Sequence, residues 1–98
     1  MPSLDEQYYR DEHLLVDLRK QVVTLDSGPL TLNRMEYRLL ALLLKHAGKI
    51  VPRPILLMLT PTVDADLWRL RKKLGTYAGQ YIETVIGVGY RFRPTPGP

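Results

Sequence analysis

The chain has 98 residues, 45% of them hydrophobic and 24% charged, and it contains no cysteine. This composition indicates one globular domain and excludes wholesale disorder, a disulfide scaffold and any site built on cysteine. The longest apolar run, residues 39–44, is too short to cross a membrane, and the polar N-terminus is not a signal peptide. The lack of cysteine fits a reducing cytoplasm.

Charge is unevenly distributed along the chain. The net charge is +4, from 14 Lys and Arg and 10 Asp and Glu. Residues 1–33 contain three basic and six acidic side chains, a net charge of −3, whereas residues 34–98 contain eleven basic and four acidic ones, a net charge of +7. The basic C-terminal part indicates a polyanionic partner such as nucleic acid.

The two ends of the chain lack a regular apolar pattern. We expect residues 1–12 to form a flexible acidic leader and the proline-rich residues 94–98 to form a tail. Residues 13–93 remain as the folded domain.

Short strands are predicted at the start of that domain, over residues 14–17, 21–25 and 30–32. Asp26-Ser27-Gly28 predicts a hairpin turn in which Gly28 is able to adopt a positive φ. We therefore expect a small antiparallel sheet.

Three helices are predicted next, over residues 34–46, 53–59 and 61–74. Asn33 and Glu36 have the spacing of a capping box at the start of the first helix, and Gly48 is expected at its end. Thr60 and Pro61 have the chemistry of an N-cap and first residue for the third helix.

A hairpin is predicted after the helices. Residues 81–85 and 90–93 are rich in β-branched and aromatic residues, and Gly87 and Gly89 lie between them. The order sheet, three helices and hairpin predicts an α+β winged helix-turn-helix.

The third helix has two different faces. Its apolar face consists of Val63, Leu67, Leu70 and Leu74. Its open side consists of Thr62, Ala65, Asp66, Arg69, Lys72 and Lys73. Since a helix fits the major groove and Lys and Arg attract phosphates, this face indicates DNA binding. The alternative is a solvated charged face in which Arg69 pairs with Asp66.

The sequence resembles the effector domain of OmpR/PhoB-type response regulators over about residues 14–93. The resemblance rests on five segments: Glu36-Tyr37-Arg38-Leu39-Leu40, Gly48-Lys49-Ile50-Val51, Thr62-Val63-Asp64, residues 70–75 (LRKKLG) and residues 82–92 (IETVIGVGYRF). It implies a winged-helix transcription regulator of a bacterial two-component system, acting in the cytoplasm on double-stranded DNA.

The same resemblance implies roles for single residues. Ala65 and Arg69 would face base edges, and Thr62 would lie near the backbone at the helix start. Phosphate contacts would come from Arg53, Arg71, Thr84 and Tyr90. Independently of the resemblance, the helix face and the hairpin predict that Lys72, Lys73 and Arg91 add positive charge beside the DNA. The resemblance also implies that two copies bind side by side on direct repeats, and that the loop between the second and third helices touches RNA polymerase.

The chain departs from the family pattern at several positions. The predicted helices leave almost no loop between the second and the third. Ile86 stands at the tip of the predicted C-terminal hairpin, called the wing, where the family often has Arg. Trp68 stands where a basic residue is common. Asp66 is acidic on the predicted DNA face. No receiver domain is expected before residue 14, which leaves either a stand-alone protein or an excised effector domain.

These departures keep a second hypothesis open, a winged helix that binds protein, such as RNA polymerase or another regulator, with weak or no specific DNA binding. Trp68 is expected to pack at the edge of the core, and the alternative is an exposed protein-contact anchor. His13 and His46 are far apart in sequence, so no metal is expected. We find no catalytic constellation and expect no enzyme activity and no cofactor.

Overall fold

The computed structural model describes residues 3–94, which form two antiparallel sheets around a helical core. The first sheet is a meander of five strands: β1 (Ser3–Leu4), β2 (Tyr8–Arg10), β3 (Leu14–Asp17), β4 (Val22–Leu25) and β5 (Gly28–Leu30). The second sheet has three strands in the order β6-β8-β7: β6 (Ile50–Pro52), β7 (Ile82–Val85) and β8 (Gly89–Phe92). The helices are α1 (Arg34–Lys45), α2 (Arg53–Leu57), α3 (Val63–Leu74) and the single turn α4 (Ala78–Tyr81). The predicted α+β winged helix is confirmed.

The predicted flexible leader is wrong for residues 3–12. Two strands form there, and Tyr9 is fully buried in the main core. Its ring meets Phe92 of β8 edge-on, with centroids 5.2 Å apart. Asp11 is also buried, and its carboxylate accepts hydrogen bonds from the hydroxyls of Tyr9 and Tyr81. The N-terminal segment is therefore fastened to the C-terminal end of the domain. Of the predicted tail, residues 95–98 lie outside the described residues.

In the turn between β4 and β5, the residues with positive φ are different from the one that the sequence suggests. Asp26 and Ser27 have φ of 49° and 66°, and Gly28 already belongs to β5. Asp tolerates this conformation when its carboxylate is held by hydrogen bonds. Here it accepts one from the Tyr77 hydroxyl at 2.7 Å, and it lies 2.8 Å from Nδ1 of His13.

Helix α1 begins as the sequence predicts. The Asn33 side chain accepts from the Glu36 amide, and the Glu36 carboxylate accepts from the Asn33 amide, both at 2.8 Å, which completes a capping box. The helix buries Leu39, Leu40 and Leu43 against the sheets and α3. Within residues 3–94, no helix combines the length and the apolarity that crossing a bilayer would require.

The connection between α2 and α3 is longer than predicted. Helix α2 ends at Leu57, and α3 begins at Val63 with Thr62 as its N-cap. The predicted cap, Thr60, is buried instead, because its hydroxyl donates to the Asp66 carboxylate at 2.7 Å. Five residues therefore separate the two helices.

The hairpin of β7 and β8 forms the wing, and β6 joins it as a third strand that the sequence did not reveal. A strand of three residues ending in proline gives too weak a pattern to predict. Gly87 has φ of 78° at the turn, as expected, but Gly89 lies in β8 rather than in the turn. A Cβ on Gly89 would lie 2.1 Å from the Val51 carbonyl oxygen, so this position requires glycine for close approach of β6.

Candidate nucleic-acid interface

The outer face of α3 is the centre of the candidate site. The buried side of this helix consists of Val63, Leu67, Leu70 and Leu74. At 3.6 residues per turn, the face opposite that side carries Ala65, Trp68, Arg69 and Lys72, all of them exposed. A basic and partly apolar helix surface is therefore presented to solvent.

Asp66 does not lie on this open face, contrary to the expectation from sequence. It is only 9% exposed, and its Oδ2 atom accepts hydrogen bonds from the Thr60 and Thr62 hydroxyls at 2.7 and 2.8 Å. Its Oδ1 atom accepts from Nη1 of Arg69 at 3.0 Å. These hydrogen bonds, that from Thr60 foremost, lower the pKa of the Asp66 carboxyl. The Arg69–Asp66 pair, which belonged to the alternative of a solvated charged face, does form, and the Arg69 side chain remains half exposed beside it.

Three predicted site residues surround one hollow between the wing and the helix starts. Arg53, Thr84 and Tyr90 line this hollow of about 330 Å³, together with Asp64. Oδ1 of Asp64 accepts from Nη1 of Arg53 at 2.7 Å and from the Tyr90 hydroxyl at 2.6 Å. These hydrogen bonds, that from Arg53 first, lower the pKa of Asp64. Asp64 thus connects α2, α3 and β8.

Arg71 connects α3 to the wing. Its Nη2 atom donates to the Ile82 carbonyl at 2.9 Å and to the Thr84 hydroxyl at 2.6 Å. Its guanidinium carbon lies over the Tyr90 ring, 5.4 Å from the centroid. Their hydrogen bond places Arg71, which is half-buried, and Thr84, which is exposed, at the junction of α3 and the wing.

The neighbouring lysines Lys72 and Lys73 have different surroundings. Lys72 is on the outer face, with its Nζ atom 4.7 Å from the centroid of the Trp68 ring. Lys73 turns toward α1, where its Nζ atom donates to Oε1 of Glu36 at 2.6 Å. The structure therefore separates Lys73 from the outer face on which the sequence placed it.

Trp68 is not at the edge of the core, which corrects the preferred expectation. Trp68 is 59% exposed and Ile86, at the wing tip, is 91% exposed, so large apolar groups interrupt the basic surface. Its place follows from helical spacing, since position 68 lies nearly opposite the apolar stripe of α3. The helical periodicity was the available signal, and the general burial of aromatic residues outweighed it in the prediction.

Arg91 lies on the wing and is partly neutralised there. Its Nε atom donates to Oε1 of Glu83, its cross-strand neighbour, at 2.8 Å. This hydrogen bond from Arg91 is the main reason why the pKa of Glu83 is lowered. A cross-strand pair of this kind stabilises the hairpin modestly and leaves Arg91 half-buried.

Comparison with known proteins assigns this arrangement to a family. Residues 27–92 match the model of the family described as "Transcriptional regulatory protein, C terminal". The chain is 33% identical over 90 residues to the transcriptional regulatory protein QseB of Escherichia coli, an alignment that covers 83% of this chain and 40% of that protein. It is 36% identical over 88 residues to the phosphate regulon regulatory protein PhoB of Pseudomonas aeruginosa, covering 81% of this chain and 38% of that protein.

Solved structures have the same fold. The DNA-binding domain of RstA from Klebsiella pneumoniae, solved in complex with the RstA box, superposes with a TM-score of 0.81 and 29% identity. That match covers 92% of this chain and all of the RstA domain. The chain thus spans about two-fifths of the curated relatives it matches and nearly the whole of a solved DNA-binding domain.

Proposed function

Because this chain belongs to the "Transcriptional regulatory protein, C terminal" family, we propose that it binds double-stranded DNA and regulates transcription in the bacterial cytoplasm. In this proposal, α3 lies in the major groove, and the wing of β7 and β8 lies on the adjacent backbone or minor groove. The observation that carries it is the outer face of α3, where Arg69 and Lys72 are exposed opposite a fully buried apolar side.

The proposed contacts fall into two groups. Arg69 and Ala65, on the outer face, contact base edges, and Lys72 adds a phosphate contact. Thr62, the N-cap of α3, lies near the DNA backbone in this proposal. Arg53, Thr84 and Tyr90 line the hollow beside the wing, where a phosphate oxygen would compete with Asp64 for the donors of Arg53 and Tyr90.

The other predicted cations have indirect roles in DNA binding in this proposal. Arg71 positions the wing, while Arg91 and Lys73, each paired with a carboxylate, contribute to the overall positive field. Binding of two copies on direct repeats remains part of the proposal.

A salt series tests DNA binding itself. The logarithm of the affinity for a random duplex is expected to fall steeply with the logarithm of salt concentration, by about 0.9 for each neutralised phosphate. On a site selected from a random pool, Arg69→Ala is expected to cost roughly 1–3 kcal/mol and to relax one base preference. Arg19→Ala, in the exposed turn after β3, is the matched control and leaves that preference intact.

A second candidate function is binding to protein, such as RNA polymerase or another regulator. The exposed side chains of Trp68, Ile86 and Met58 favour it, since exposed aromatic residues anchor protein interfaces. The five-residue connection between α2 and α3 offers more surface for this than the sequence suggested. If Arg69→Ala leaves DNA affinity unchanged while Trp68→Ala abolishes capture of purified RNA polymerase, the protein-binding function is favoured.

A further inference from the structure

Trp68 occupies a position on α3 that the proposed DNA contacts leave unexplained. It lies one helical turn beyond Ala65 and next to Arg69 on the outer face, and the residue is 59% exposed. Exposure of a large indole to water is unfavourable, at roughly 25 cal/mol for each Å² of apolar surface. A partner that removes this surface from water therefore gains affinity.

Lys72 helps to hold the indole in place. Its ammonium nitrogen lies 4.7 Å from the centroid of the Trp68 ring, within the range of a cation–π contact. Because residues four apart are neighbours on a helix, this contact needs no other element of the fold. The indole is thus a partly ordered apolar group beside two cations, Lys72 and Arg69.

These surroundings favour DNA over protein as the partner. Trp68 lies on the face that carries Arg69 and Lys72, and residues 34–98, which contain it, have a net charge of +7. The major groove offers one apolar group on its base edges, the C5-methyl group of thymine. We infer that Trp68 contacts thymine methyl groups in the major groove and thereby sets the base preference beside the base read by Arg69. This inference rests on the proposed DNA binding.

Replacing thymine by uracil in the DNA tests this contact without changing the protein. In a duplex selected from a random pool, each dT within the bound site is replaced in turn by dU, which lacks only the methyl group. The wild-type protein is expected to lose about fourfold in affinity at the contacted position, the value of one buried methylene-sized group. Trp68→Ala is expected to bind the dT and dU duplexes equally.

Two further variants separate the contact from general effects. Trp68→Phe keeps an apolar ring and is expected to retain part of the discrimination. Met58→Ala removes a more exposed apolar side chain outside α3 and is expected to retain all of it. Since Trp68 is the single tryptophan of the chain, its fluorescence reports the same contact directly and is expected to change when the selected duplex binds.

The outcomes distinguish this inference from the proposed function. If no dU substitution weakens binding, if Trp68→Ala retains the full dU effect, or if the fluorescence is unchanged at saturation, the thymine contact is overturned while DNA binding stands. If the protein captures RNA polymerase, Trp68→Ala abolishes this capture, and no dU substitution weakens DNA binding, Trp68 is assigned to a protein partner instead. Absence of any complex in dilute salt would overturn the proposed function itself.

Discussion

The ammonium group of Lys73 lies 2.6 Å from the carboxylate of Glu36, a residue 37 positions earlier in the chain. Glu36 is almost completely buried, and the same Oε1 atom closes the capping box of α1. A buried carboxylate is costly unless it is paired and hydrogen-bonded. Lys73 therefore joins α3 to the start of α1, while Lys72, one residue earlier, points toward solvent.

This difference predicts that substitution of Lys73 affects stability, whereas substitution of the adjacent Lys72 affects DNA binding. Lys73→Met is expected to lower the free energy of unfolding by about 2 kcal/mol, less than for a fully buried pair because Lys73 is partly exposed. Lys72→Met is expected to change stability by less than about 0.5 kcal/mol. It is instead expected to reduce the salt dependence of DNA binding by about one phosphate contact. Urea unfolding and binding titrations over a salt series measure the two effects.

A double substitution provides the control for the buried pair. Glu36→Gln removes the buried charge, so Lys73→Met is expected to cost much less in that background. Equal costs in both backgrounds would show that the ion pair does not stabilise the protein.

Gly89 is expected to be the least replaceable glycine of the wing. A Cβ there would lie 2.1 Å from the Val51 carbonyl oxygen, which is backbone and cannot move aside without disturbing the pairing of β6 with β8. Gly89→Ala is expected to cost about 3 kcal/mol, and thus to lower Tm by more than about 10 °C in a domain of this size.

Gly79 is the matched glycine for that measurement. It lies in α4, where an added Cβ would meet nothing within 4 Å, and its φ is not positive. Gly79→Ala is expected to raise stability by about 0.4–1 kcal/mol through lower entropy of the unfolded chain. A similar Tm for both variants would contradict the close approach of β6 and β8.

Asp66 predicts a specific dependence of stability on pH. Its pKa lies below the ordinary value of 3.8, chiefly because the Thr60 hydroxyl donates to it. The folded state therefore holds this carboxylate charged more strongly than the unfolded state does. Its stabilising contribution is present above the unfolded pKa and is lost as pH falls through the lower folded pKa.

Asp66→Asn tests that dependence. The amide cannot accept from both threonines and Arg69 as the carboxylate does, so the variant is expected to lose about 1–2 kcal/mol at neutral pH. The difference from wild type is expected to shrink as the solution is acidified below the ordinary Asp pKa, as urea unfolding at each pH would show. Glu6→Gln, on an exposed carboxylate, serves as control. A difference that is constant with pH would contradict the charged state of Asp66.

The sequence predicted α1 and the wing because local signals agree there with the tertiary structure. Asn33 and Glu36 have capping-box spacing, and the capping box forms as predicted. The N-terminal strands escaped prediction because what orders them is distant in sequence. Tyr9 packs on Phe92, and Asp11 binds Tyr81, contacts that no local pattern contains.

The candidate site was predictable as a face but not as a set of contacts. The stripe from Val63 to Leu74 correctly located the outer side of α3. By helical spacing, Asp66 and Lys73 lie on the flanks of this stripe, where the wheel alone does not show whether a neighbouring element contacts them. Thr60 covers Asp66, and Glu36 binds Lys73, and both contacts depend on how α3 meets the segments packed against it.

Arg71 holds the wing through several contacts at once. We therefore expect a substitution that keeps its positive charge to weaken the wing. One guanidinium nitrogen donates to the Ile82 carbonyl and the Thr84 hydroxyl, while the guanidinium carbon lies over the Tyr90 ring, 5.4 Å from its centroid. Arg71→Lys keeps the charge but loses this geometry, because the ammonium lacks the planar fork that donates to both acceptors while lying over the ring. Amide hydrogen exchange in β7 and β8 is expected to become about tenfold faster, corresponding to about 1.4 kcal/mol, while exchange in α1 is unchanged. Arg34→Lys, at an exposed position of α1, is the control, and equal wing protection in the two variants would show that Arg71 does not hold the wing.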